Sequence, residues 1–154
     1  MQTIYTMGYT QKSMEEFVKL LTENKIEKLI DIRLRNTSQL AGFAKDEDLR
    51  FLLEHFLRIR YEHVPLLSPT EVIFTSYKKT DDWDEFHRSF NRLMVERRMD
   101  RVLEEAAGNM SRVCLLCSED SPNKCHRRFV AEYYKKNTSR DVEIVHLTKK
   151  DIKS

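Results

Sequence analysis

Apolar positions along the chain follow two rhythms, one of period two and one near 3.6 residues, and the two alternate. Thr3 to Met7 reads as a strand stopped at Gly8. Ser13 and Glu16 then form a capping box, and Met14, Phe17, Val18, Leu20 and Leu21 make one stripe, which predicts a helix over 14–24. Lys28 to Arg33 is the second strand, and 34–45 reads as a loop. Asp46 opens a helix whose apolar face is Leu49, Leu52, Leu53, Phe56 and Leu57. A third strand lies near Tyr61 to Val64 and is closed by Pro65. The stretch 66–82 has no single rhythm, with Glu71 to Tyr77 as a short helix. Phe86, Phe90, Leu93 and Met94 mark another helix, expected to break near Asp100 and to stop at Gly108. Arg112 to Cys117 is the strongest strand. Ser121 and Pro122 look like the N-cap and first residue of a helix running to about Lys136, and Val142 to His146 is the last strand. Strands alternating with helices imply right-handed crossovers. The expected fold is therefore α/β: a single domain over 1–154 with a mostly parallel, five-stranded, doubly wound sheet and helices on both faces.

Composition adds little to that picture but excludes several classes. Hydrophobic residues are 40% of the 154, enough for a core and too many for disorder. No apolar run approaches the ~20 residues of a membrane span, and the first residues lack the basic start and apolar stretch of a secretion signal. Three cysteines, an odd and small number, exclude a disulfide scaffold and make a reducing cytoplasm the expected location. The net charge is only +2, but it is uneven. Residues 121–154 carry nine Lys or Arg against four Asp or Glu, and Phe129, Tyr133 and Tyr134 lie among them. A nucleic-acid partner is compatible with such a stretch; a solvated helix face with core aromatics is the commoner outcome.

In doubly wound sheets, ligands bind beyond the carboxyl ends of the strands. Gly8-Tyr9-Thr10, Arg33 to Arg35, Pro65-Leu66, Cys117-Ser118-Glu119 and His146 should gather there. Two segments carry chemistry. In the first, Cys117 to Arg128, Cys125 is expected in the first turn of a helix, where free backbone N–H groups favour a thiolate or a bound anion. Lys124, Arg127 and Arg128 add positive charge. Burial of Cys125 as a small core residue is the competing reading. Cys117, Cys125, His126 and His146 could also approach one another around a metal. The eight-residue spacing of the two cysteines matches no standard zinc pattern, however, and no metal is assigned. Cys114 and Cys117 point to opposite faces of a strand and do not form a redox pair. In the second segment, alternation puts Asp31 and Arg33 on one face, and Arg35 too if the strand continues. The pair either orients a guanidinium toward an anion or is a structural salt bridge. His55 and His87 read as solvated.

These segments also carry a resemblance. Thr3 to Thr10 with Phe17 and Leu20-Leu21, then Asp31-Ile32-Arg33, Leu115 to Glu119 and Cys125-His126-Arg127, resemble the DUF488 family, proteins of unknown function, from about residue 2 to 147. The resemblance implies a small cytosolic bacterial or archaeal α/β protein and brings no established reaction; a link to DNA repair is sometimes attached to relatives. The family pattern reads Gly-His-Ser where this chain has Gly8-Tyr9-Thr10, so Tyr9 stands in place of an imidazole. Many relatives carry a Pro-x-Ser and a Leu-Gly-Gly segment where this chain has Leu34 to Ser38 and Leu66 to Pro69, which marks a divergent subgroup.

The functional expectation is a site for a small anion, phosphate or carboxylate. Cys117, Glu119, Cys125 and His126 are its catalytic candidates, and Gly8, Tyr9, Thr10, Asp31, Arg33, Arg35 and Arg127 its ligand-binding candidates. No cofactor is named. The alternative is a nucleic-acid-binding module.

Overall fold

Ser13 does what its neighbours require of it. Its side chain accepts from the Glu16 backbone while the Glu16 carboxylate accepts from the Ser13 N–H, so helix α1 (Met14–Glu23) starts on two satisfied donors. It buries Phe17, Leu20 and Leu21. The computed structural model describes residues 1–123 and 125–152, with the side chains of Gln39 and Leu40 outside that description. Its strands are β1 (Gln2–Gly8), β2 (Lys28–Asp31), β3 (Arg60–His63), β4 (Arg112–Cys117) and β5 (Val142–His146). They form one sheet in the order β3-β2-β4-β1-β5, and every pairing is parallel.

That order accounts for the placement of the helices. The chain steps one way across the sheet from β1 to β2 to β3, then the other way to β4 and β5. With right-handed crossovers the two sets of connections fall on opposite faces. One face takes α1 and α2 (Asp46–Phe51), whose Phe17, Leu20, Leu21 and Leu49 pack on Tyr5, Met7, Leu29 and Leu116. The other takes α3 (Glu71–Thr80), α4 (Trp83–Arg97), α5 (Met99–Ala107) and α6 (His126–Asn137), packed on Ile4, Ile30, Val113 and Leu115. The α/β architecture with helices on both faces is as expected, and the sheet is wholly parallel rather than mostly so.

Local differences have local causes. β2 ends at Asp31: Ile32 N–H still completes the ladder at Leu116 O, but Arg33 turns its N–H back to the Asp31 carboxylate. The expected loop 34–45 contains a 3-10 turn, Gln39–Ala44. The helix from Asp46 widens into a π-turn over Leu52–Leu57, ended by Arg58 in the left-handed region. The extra residue per turn rotates the stripe, leaving Leu49 and Leu53 buried but Phe56 68% exposed. The break expected near Asp100 falls at Arg98, with φ of 52° between α4 and α5. Gly108, at φ 57°, ends α5. The start of α6 is corrected from Ser121-Pro122 to His126. Ser121 Oγ instead accepts from Asn123 N–H at 3.2 Å, closing a small turn inside a loop. Cys125 is thus the residue before the helix and not in its first turn.

Candidate functional site

Strand β4 lies between β1 and β2, yet the chain leaving β4 crosses to one face of the sheet while the chains leaving β1 and β2 cross to the other. Past Cys117 the connections diverge and leave a crevice. A cleft of about 490 Å³ opens there, and its lining includes Arg33, Arg35, Cys117, Glu119, Cys125 and His126.

One flank is built on a buried carboxylate. Asp31 has no exposed surface; its Oδ1 accepts from Arg33 N and Nε (3.1 and 2.8 Å) and its Oδ2 from Arg33 Nη2 (2.7 Å). Tyr61 Oη (2.7 Å) and Asn36 Nδ2 (3.2 Å) complete its shell. Burial alone raises the Asp31 pKa, but the hydrogen bonds and charge of Arg33, with the Tyr61 hydroxyl, hold it below its ordinary value. Burial likewise opposes charge on Arg33, and Asp31 overcomes that opposition. Burial and the Asp31 charge push the Tyr61 hydroxyl up. Arg33 Nη2 also bonds Ala44 O at 2.7 Å, and the guanidinium lies 5.1 Å from the Tyr9 ring. Asp31 therefore holds Arg33, which lines the cleft, in a fixed position. Arg35 differs: its side chain is 73% exposed and pairs with Glu71 at 2.6 Å on the rim.

The loop after β4 is held from beneath. Tyr9 N–H donates to Cys117 O (3.2 Å), and Thr10 gives both its N–H (3.0 Å) and its hydroxyl (2.6 Å) to Ser118 O. Gly8 lies so close that a Cβ there would sit 1.8 Å from Glu119 O, which only glycine avoids. Arg127 has no exposed surface; its Nε donates to Thr6 Oγ1 (3.0 Å), Nη2 to Asp120 O (2.7 Å) and Nη1 to Glu119 O. Lys12 pairs with the Asp120 carboxylate. Gly8, Tyr9, Thr10, Asp31 and Arg127, expected at a ligand, thus shape and pin the site and do not line the cleft.

At the floor the two thiols and an imidazole meet. Cys117, Cys125 and His126 are each about 5% exposed or less, and their ligand-type atoms lie within 4.8 Å of one another. Cys117 Sγ is 3.6 Å from His126 Nδ1 and 4.0 Å from Nε2. His126 Nε2 lies 3.1 Å from Ile32 O. A carbonyl only accepts, so Nε2 carries the proton there and Nδ1 is the unprotonated ring nitrogen. Burial lowers the His126 pKa and keeps the ring neutral. The Phe74 and Phe90 rings meet it edge-on at 6.1 and 5.7 Å. The nearby Cys125 thiol, with the Ser118 backbone and the Arg127 charge, lowers the Cys117 pKa against its burial; the same coupling and burial raise that of Cys125. Of the two thiols, the one whose pKa is lowered is thus Cys117 and not Cys125. Cys114 lies outside this group in the core on the α1 face, where burial pushes its thiol up to about 12. Three soft donors so placed could hold a metal ion.

Some placements differ from expectation. His146 stays out of the group, with Nδ1 2.6 Å from Thr6 Oγ1. Lys124 lies outside the described residues. Phe129 and Tyr134 are buried in the core of the α6 face, and Tyr133 is half-buried beside them. The sequence reading missed the far wall of the cleft: Phe74, Tyr77 and Lys78 from α3, and Trp83 and Phe86 from α4. Their only signal was an apolar, aromatic face on helices that follow β3, and it pointed equally to core. Among the described residues, no helix is long and apolar enough to cross a membrane.

The sequence model of a family described as a domain of unknown function, DUF488, matches residues 13–134. That stretch contains Asp31, Arg33, both site cysteines, His126 and Arg127, and it leaves Gly8-Tyr9-Thr10 outside. No curated protein and no solved structure matches the chain.

Proposed function

Because the chain belongs to the DUF488 family, whose description assigns no function, we propose a function from the site itself: the cleft binds a small organic anion and presents Cys117, Cys125 and His126 to it as reactive groups. The observation that carries this reading is the make-up of one cleft. It has a thiol–imidazole floor, an aromatic wall including Phe74, Tyr77 and Trp83, and a rim bearing Arg35 and Lys78. Its volume lies within the ~300–1,000 Å³ of small-molecule sites. The wall suits an apolar body. The rim suits a phosphate or carboxylate, because the exposed Arg35–Glu71 pair is worth little to the fold and Arg35 can exchange it for a ligand. Arg33, locked to Asp31, supplies a fixed guanidinium edge beside the floor.

Trp83 is the single tryptophan of the chain and lines the cleft, so its emission reports occupancy. Titration with a panel of phosphorylated and carboxylated aromatic metabolites should change that emission saturably. Arg35→Ala should weaken the best ligand about tenfold, the effect of one charge-assisted hydrogen bond of ~1.5 kcal/mol. A panel without a hit, or equal affinity in the variant, removes the reading.

A further inference from the structure

We propose that Cys117, Cys125 and His126 form a binding site for a thiophilic divalent metal ion, zinc foremost, with its fourth coordination position open to the cleft. The proposal deepens the reading above, and it rests on that reading only for what fills the open position.

The first argument is distance. Zinc bonds to sulfur are ~2.3 Å and to histidine nitrogen ~2.0–2.1 Å, so a tetrahedral ion holds S and N about 3.6 Å apart. Cys117 Sγ and His126 Nδ1 are 3.6 Å apart, and all three donor atoms fall within 4.8 Å of one another. Cys117 Sγ is also 4.0 Å from His126 Nε2 and so lies off the Nδ1 lone-pair axis; an ion needs side-chain rotation at Cys117 or His126 as well as at Cys125.

The second argument is the outer shell. A metal-bound histidine usually donates its other ring N–H to a carbonyl or carboxylate, which fixes tautomer and ring plane. Ile32 O takes that place, 3.1 Å from Nε2, and the edge-on contacts with Phe74 and Phe90 hold the ring. The loop carrying both cysteines is pinned by Arg127, Thr10 and the close approach of Gly8. The loop and the ring are thus held close to where an ion would sit.

The third argument is charge and donor type. Two thiolates and a neutral imidazole balance a divalent ion, so the occupied floor is neutral even though it is buried. Cys117 and Cys125 bind after losing their S–H protons to solvent, and His126 binds through Nδ1 with its Nε2 proton retained. Soft sulfur donors select zinc over magnesium or calcium. Three protein ligands with an open position is the pattern of zinc sites that act on a ligand rather than staple a fold. An oxygen of the bound anion fits that position.

The test uses the full chain, purified under reductant and stripped with a chelator. Cobalt(II) should bind at one equivalent, with a sulfur-to-cobalt charge-transfer band and the d–d intensity of a tetrahedral ion. Zinc should displace it. Cys117→Ser, Cys125→Ser and His126→Gln should each weaken binding by more than the ~10–100-fold that loss of an outer partner costs. Cys114→Ala should leave the spectrum unchanged. Wild-type protein supplies a second readout: zinc should slow alkylation of both Cys117 and Cys125, mapped by mass spectrometry. No sulfur-to-cobalt band, cobalt affinity in Cys117→Ser equal to that of the wild type, or thiols that zinc leaves unprotected would each overturn the site. Trp83 titration of the stripped protein with the organic anions tests the cleft separately, so the two ideas fail independently.

Discussion

Asp31 shows how much one side chain can be asked to hold. Its carboxylate has no exposed surface, and its partners come from the residue two positions on, from β3 and from the loop after β2. The pair forms a buried ion bridge, and Arg33 also lines the cleft. Asp31→Asn should cost about 3–5 kcal/mol, because it strands the Arg33 guanidinium without its counter-charge. Chemical unfolding measures this directly. The same carboxylate sets an acid limit. Its folded pKa is below the unfolded value of ~3.9, so its contribution is fully present above that value and is lost as pH falls toward the folded value. Unfolding midpoints of the wild type should therefore decline below about pH 4. Midpoints of Asp31→Asn should decline less over the same interval, and parallel curves would show that Asp31 carries no such linkage.

Elements were legible where their signals are local. The Ser13 capping box is one: hydroxyl, carboxylate and the apolar stripe behind them all lie within three turns of chain. Ser13→Ala should remove about 1 kcal/mol of stability, read as a lower thermal midpoint, with ligand binding unchanged. A shift no larger than that of an exposed control substitution would mean that the cap contributes nothing. Signals failed where a distant residue outvotes a local one. Ser121-Pro122 has the form of a helix start, yet Arg127 reaches back to the carbonyls of Glu119 and Asp120 and draws those residues into a loop. The helix then waits until His126. No local pattern records that reach, which joins residues seven and eight apart to a hydroxyl on β1. The π-turn after α2 is a similar case. Ordinary helical spacing puts Phe56 on the buried face, and one wide turn carries it into solvent.

At the scale of the molecule, alternation of strands and helices was enough to send the ends of β1, β2 and β4 to one edge, and so to place Asp31, Arg33, Cys117 and Cys125 near one another. Alternation does not fix the strand order, and it is the order that makes the cleft: β4 sits between two strands whose connections leave for the opposite face. Nor does it say that α3 and α4 lean over that edge with Phe74, Tyr77 and Trp83. Arg127 separates the two kinds of knowledge. Its place in the Cys-His-Arg segment suggested a group for an anion, whereas the fold buries it completely as a clamp between β1, the loop after β4 and α6. A clamp and a ligand group respond differently to a lysine. Lysine keeps the charge but not the fork, so Arg127→Lys leaves at least one of Thr6 Oγ1, Glu119 O and Asp120 O without a donor. If the arginine is a clamp, the variant should lose roughly 2–4 kcal/mol of stability, and its cobalt affinity should fall because the loop bearing Cys117 and Cys125 loosens. If the arginine were a ligand group, stability would hold and only anion binding would drop. Urea unfolding beside the Trp83 titration decides between them, and the three hydrogen bonds of this fully buried arginine argue for the clamp.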